Sequence, residues 1–152
     1  MDKLQELGKV YIQSLRKDAL KSHDKPKTLL YGTLFSELQQ FEIDNRKPLQ
    51  YNDIIFIIKK NIKKRQESSK LYHDAGRYDL EEIENKEIQW LQDLLPKQLD
   101  DAQIQEIVYN KVYELNATSM KQMGIVMKEL QSISHIADMQ KVSAMVRQIL
   151  QG

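Results

Sequence analysis

The chain has 152 residues, 41% hydrophobic and 30% charged, a balance that excludes an intrinsically disordered segment. Its formal net charge of +1 carries no message about partners, so electrostatic arguments must rest on local clusters. Cysteine is absent, which excludes disulfides, thiol nucleophiles and cysteine-held metals. No apolar run approaches the roughly 18 residues of a membrane span, and the expected address is cytoplasmic. Five glycines and three prolines leave few helix-breaking positions, which points to an all-α fold.

Leu4, Leu7, Tyr11 and Leu15 recur at helical spacing, predicting a first helix from about Lys3 to Lys21. Asp2, Glu6 and Asp18 make this segment too acidic for a transit peptide. Pro26 suits a first turn, and Leu30, Leu34, Leu38 and Phe41 mark a second helix ending near Asp44. The third runs from about Asn52 to Asp74, stopped by Ala75-Gly76. At about 100° per residue, Ile54, Ile55, Ile58, Ile62, Ser69 and Tyr72 share one arc. Asp79 to Glu82 reads as a capping box opening a fourth helix with Leu80, Ile83, Trp90, Leu91 and Leu94 inside, closed by Pro96.

Beyond Pro96 the helices shorten. Asp100 to Gln103 caps a fifth, with Asn116 as its left-handed C-cap, and Ser119 to Gln122 caps a sixth. Asp138 starts the last, which turns Val142, Met145, Val146, Ile149 and Leu150 inward. The expectation is an N-terminal four-helix domain over residues 1–96 and a small three-helix domain over 97–152, hinged near Leu95 to Leu99.

Two features stand out from this scaffold. From Lys59 to Lys70 there are six basic residues and a single acid, Glu67, and Lys59, Lys63 and Lys70 fall together beside the apolar arc. This flank is the candidate electrostatic footprint for phosphates, weighed against an ordinary solvated helix face. Arg65 and Glu87 lie inside apolar arcs on neighbouring helices, where each alone is costly and the two together are tolerable. They are predicted to pair as a structural ion pair. His23, His73 and His135 sit near helix ends, where capping or surface roles outweigh metal binding, and no metal or other cofactor is expected. Met120, Met123, Met127 and Trp90 read as core residues. No phosphate-binding glycine loop, zinc-protease or serine-hydrolase motif is present, and no catalytic residue is assigned.

Residues 62–68 (IKKRQES), 94–99 (LLPKQL), 117–127 (ATSMKQMGIVM) and 142–147 (VSAMVR) recur in order and spacing. They resemble, respectively, the IKQRxES, YLPxQL, ASSxxDMGKVM and LVSELVR patterns of YqeY-like proteins in the GatB/YqeY family. That resemblance implies an all-helical protein akin to the helical tail of the B subunit of tRNA-dependent amidotransferases. There the tail contacts tRNA while a separate domain performs the chemistry with glutamine as nitrogen donor. The chain departs from the family pattern at Gly32 and Phe35, where arginines are common, and over Ser132 to Met139, where a basic glycine-containing loop is usual.

The leading expectation is a non-catalytic, tRNA-associated module using Lys59, Lys63, Lys64 and Lys70, with Lys121 and Arg147 as further candidates. The alternatives are a protein–protein adaptor docking through Phe35, Phe56 or Tyr109, and an accessory to a glutamine-dependent carbon–nitrogen ligase.

Overall fold

A computed structural model describes residues 2–152, which are all-α, with eight α-helices and two short 3-10 turns. They divide into two compact units, one reaching to Leu95 and one starting at Pro96.

The first unit holds α1 (Lys3–Leu7), α2 (Lys9–Lys21), α3 (Lys25–Asn45), α4 (Tyr51–Asp74) and α5 (Tyr78–Gln92). The predicted first helix is therefore two. Gly8, at φ 60° and ψ −139°, occupies a region essentially closed to other L-residues, and the chain turns there. Gly8 accordingly interrupts an apolar pattern that continues through it. Leu7, just before the break, is exposed, whereas Leu4 before it and Ile12 beyond it are buried.

Helix α2 packs along α3, and α4 along α5. Asp24 caps α3 by accepting from the Lys27 N–H, and Pro26 lies in its first turn. Arg46 ends α3 in the left-handed conformation. A capping box then opens α4: the Gln50 N–H donates to Asp53 at 2.9 Å. Leu34, Leu38, Ile54, Ile58, Ile62 and Leu91 fill the core.

Three sequence expectations fail on α5. Its N-cap is Arg77, which makes no side-chain cap. Asp79 instead accepts from the Arg77 guanidinium at 3.2 and 3.3 Å. An adjacent cation thus occupies the carboxylate that was assigned to the backbone, and holds it below the usual aspartate range. The helix also stops at Gln92, before Pro96, and Ile83 is exposed rather than inside.

The second unit holds α6 (Asp101–Glu114), α7 (Met123–Leu130) and α8 (Met139–Gln151). Its boundaries are set by side chains. Asp100 accepts from the Gln103 N–H while Gln103 accepts from the Asp100 N–H, both at or below 3.0 Å. Asn116 turns left-handed at φ 52° to end α6. The Gln122 carbonyl accepts from the Thr118 and Ser119 N–H groups before α7, and Asp138 caps α8. Ile104, Val108, Val126, Leu130, Val142 and Val146 form a separate core, with Met123, Met127 and Met145 against it. The segment before α6 is tied down where the Leu99 N–H donates to the Ile136 carbonyl at 2.8 Å.

Candidate nucleic-acid interface

Helix α4 is 24 residues long, and its two sides are chemically opposite. Ile54, Ile57, Ile58, Ile62 and Ser69 are buried. On the helical wheel, Lys60, Lys63 and Lys70 lie on the side away from that arc and Lys64 at its border, next to Ile57, and all four are exposed. No carboxylate within ion-pairing distance holds any of these four among the described residues. From Lys60 to Lys70 the stripe runs about 15 Å, the reach of about four nucleotide steps along one strand of a duplex. Lys59, at its edge, is half-buried and already engaged within the protein. Lys60, absent from the sequence-based selection, joins the stripe because the flank is broader than the narrow arc of Lys59, Lys63 and Lys70.

An aromatic residue stands within this charge. Phe56 is 62% exposed, and Lys59, Lys60 and Lys63 follow it at the spacings that put side chains on one helix face. A hydrophobic residue three before a lysine on the solvent side was the available signal for it.

Polar contacts on the opposite side fix how α4 is turned. Arg65 Nε donates to Glu87 Oε2 at 2.8 Å, joining α4 to α5. The same guanidinium donates to Asn61 Oδ1 at 2.8 Å, and Asn61 Nδ2 donates to Glu37 of α3 at 2.9 Å. Ser69 Oγ bonds Asn85 Oδ1 at 2.6 Å. These groups are part-buried, with the Arg65 and Glu87 side chains 17% and 24% exposed. Burial raises the Glu84 carboxyl above its usual range, helped by repulsion from Glu87 and opposed by Arg65. The network spans three helices and leaves the lysines facing outward.

Lys121 and Arg147 belong to the second unit. Both are exposed, one in the 3-10 turn before α7 and the other on α8. The four lysines of α4 belong to one helix and all fall between Lys60 and Lys70, which makes them the better defined group.

The histidines play local parts. His73 Nδ1 lies 2.7 Å from Glu81 and its ring meets Tyr78 edge-on at 5.5 Å, while His23 adopts φ 59° in the turn between α2 and α3. Trp90 is half-buried against the core with Lys27 Nζ 5.4 Å from its ring centre, a cation–π contact. Among the described residues no helix is long and apolar enough to cross a membrane.

A family model described as Yqey-like protein matches residues 9–150, most of the chain. An uncharacterized protein of Schizosaccharomyces pombe is 31% identical over 80 residues, a stretch covering 53% of this chain and 65% of that relative. The match thus spans less than two thirds of the relative's length.

Proposed function

We propose a role for a chain that belongs to the Yqey-like protein family: a non-catalytic helical module that holds RNA, with tRNA foremost, against the outer face of α4. One observation carries the reading. Lys60, Lys63 and Lys70, with Lys64 at their border, stand exposed and free of carboxylate partners on the outer side of α4, with Phe56 among them. The cations attract phosphates without reading sequence. An exposed aromatic ring offers an unpaired base a stacking surface worth about 1–3 kcal/mol, so single-stranded or looped segments are preferred over uniform duplex. The resemblance to the amidotransferase B-subunit tail supports tRNA as the RNA. On this reading an accessory part beside a glutamine-dependent carbon–nitrogen ligase requires no chemistry from this chain, and the site of action is cytoplasmic.

The test is binding to unfractionated tRNA across a salt series. Four phosphate contacts to single-stranded segments predict a log–log slope of about −3. Changing Lys60, Lys63, Lys64 and Lys70 to Gln should abolish most of that slope. Absence of binding at low salt, or binding indifferent to salt, refutes the reading.

A protein–protein adaptor is the second reading, and a different observation favours it. Tyr109 and Tyr113, one turn apart on α6, are 51% and 86% exposed. Aromatic pairs of this kind are enriched where proteins meet. Retention of partners by the intact chain that Tyr109→Ser and Tyr113→Ser together abolish, with tRNA binding absent, would favour it over RNA.

A further inference from the structure

Away from the lysine stripe, a cleft of about 840 Å³ runs between α2 and α3. Arg16, His23 and Lys25 contribute to its wall, and no aspartate or glutamate does. Among the described residues Arg16 makes neither an ion pair nor a hydrogen bond. Its side chain is exposed and lies over Gly32 of α3. A Cβ placed on Gly32 would lie 3.1 Å from Arg16 Nε and 3.3 Å from Cδ, so the arginine side chain crosses α3 where α3 has no side chain. Glycine is the least favoured helix-interior residue after proline, and Gly32 sits well inside a 21-residue helix. Gly32 leaves room for the close approach of Arg16.

The rest of the wall is divided. Thr33 and Ser36 offer hydroxyls, whereas Thr28 already donates its own to the Asp24 carbonyl at 2.7 Å. Leu20 and Leu29 are 58% and 72% exposed, and Phe35 lines the same cleft. A guanidinium without a carboxylate suits an oxyanion, because its fork donates two parallel hydrogen bonds. Two further nitrogen-bearing side chains and two hydroxyls fit a phosphomonoester, with its three terminal oxygens, better than a carboxylate. The apolar side chains call for an organic group attached to it.

We propose that the α2–α3 cleft binds a phosphomonoester carrying an organic group, with Arg16 against the phosphate and Gly32 leaving the room that Arg16 occupies. The site is separate from the lysine stripe and stands whether or not α4 binds RNA. A free mononucleotide and the 5′-terminal phosphate of an oligonucleotide share this chemistry.

The experiment is a nuclear magnetic resonance titration of the full ¹⁵N-labelled chain with adenosine 5′-monophosphate, adenosine and inorganic phosphate. The monophosphate should shift amides of residues 13–39 and bind about tenfold or more tighter than adenosine or phosphate alone, the discrimination expected of charge-assisted hydrogen bonds. Arg16→Gln should remove that advantage. Gly32→Ala should weaken binding severalfold without lowering the thermal midpoint, because alanine suits the helix while its methyl displaces Arg16. Lys63→Gln should leave the affinity unchanged. A 5′-phosphorylated trinucleotide binding tighter than the mononucleotide would assign the phosphate to a nucleic-acid end, and the reverse order would assign it to a free nucleotide. No shifts, equal binding of adenosine and its monophosphate, or full affinity in Arg16→Gln would overturn the proposal.

Discussion

The two units are held in different ways. In the first, long helices carry polar contacts from one helix to the next: Lys9 with Glu42, Arg65 with Glu87, Asn61 with Glu37 and Ser69 with Asn85. In the second, short helices share an apolar core, and the polar residues work mostly at helix ends. Lys141 with Asp101, at 2.9 Å between α8 and α6, is the exception. The difference follows from helix geometry. Apolar ridges on a long helix repeat each turn, so a slide of one turn, about 5.4 Å, preserves much of the packing and needs polar contacts to forbid it. A helix of two to four turns has less room to slide than α3 or α4, and caps at its ends set its frame.

Core truncation should have the largest effect and tests the part the two units share. Leu38 is fully buried, and Leu38→Ala should destabilise by about 3 kcal/mol in urea melts of the intact protein. A loss under about 1 kcal/mol would mean that the α3 core collapses to fill the gap. Next comes the polar network of the first unit. Glu87→Ala should cost about 2 kcal/mol, below the value for a fully buried pair because both side chains retain some water. Changing Arg65 and Glu87 to Met together should be milder than Glu87→Ala alone. If the double change is worse, the pair supplies net stability as well as register.

Caps come third, as the corresponding device of the second unit. Asp100→Ala should lose about 1 kcal/mol and increase amide exchange at the start of α6. A smaller loss than Asp24→Ala causes at α3 would contradict a second unit framed by its caps. The smallest effect is a titration. Burial and the hydrogen bond to Asp2, at 2.9 Å, push the Tyr51 hydroxyl from 10.0 to about 12. A raised folded-state value favours the folded state fully below pH 10, and that contribution disappears as pH rises from 10 to about 12. Stability measured against Tyr51→Phe should show this component missing from the variant.

The chain's helices were largely legible because each buries a periodic apolar face, as Leu30 to Leu38 and Ile104 to Val112 show. The Asp100 capping box and the Asn116 turn were legible because the side chains that make them are adjacent in sequence. Gly8 was hidden, since the apolar repeat runs through it and backbone conformation has no periodic trace. Asp79 was misassigned because Arg77, two residues away, competes for it, and the sequence does not weigh one partner against another. The contact between Arg65 and Glu87 follows from two charged residues in apolar arcs, but Asn61 and Glu37 extend the network from positions that look ordinary. Gly32 and Phe35 stood out in sequence only as departures from the family pattern, because the α2–α3 cleft takes shape only when Arg16 is seen to lie over Gly32.

Gly8 also raises a question of handedness. Its φ of 60° and ψ of −139° are the mirror image of about −60° and about 139°, the extended polyproline conformation that L-residues adopt readily. Position 8 is therefore shaped for a residue of opposite chirality. A semisynthetic chain with D-alanine there should be more stable than its L-alanine counterpart by about 1–3 kcal/mol, the usual cost of a Gly-only backbone conformation. Because the two chains have the same composition and the same unfolded-state freedom, their difference would isolate what stereochemistry alone contributes to the bend between α1 and α2.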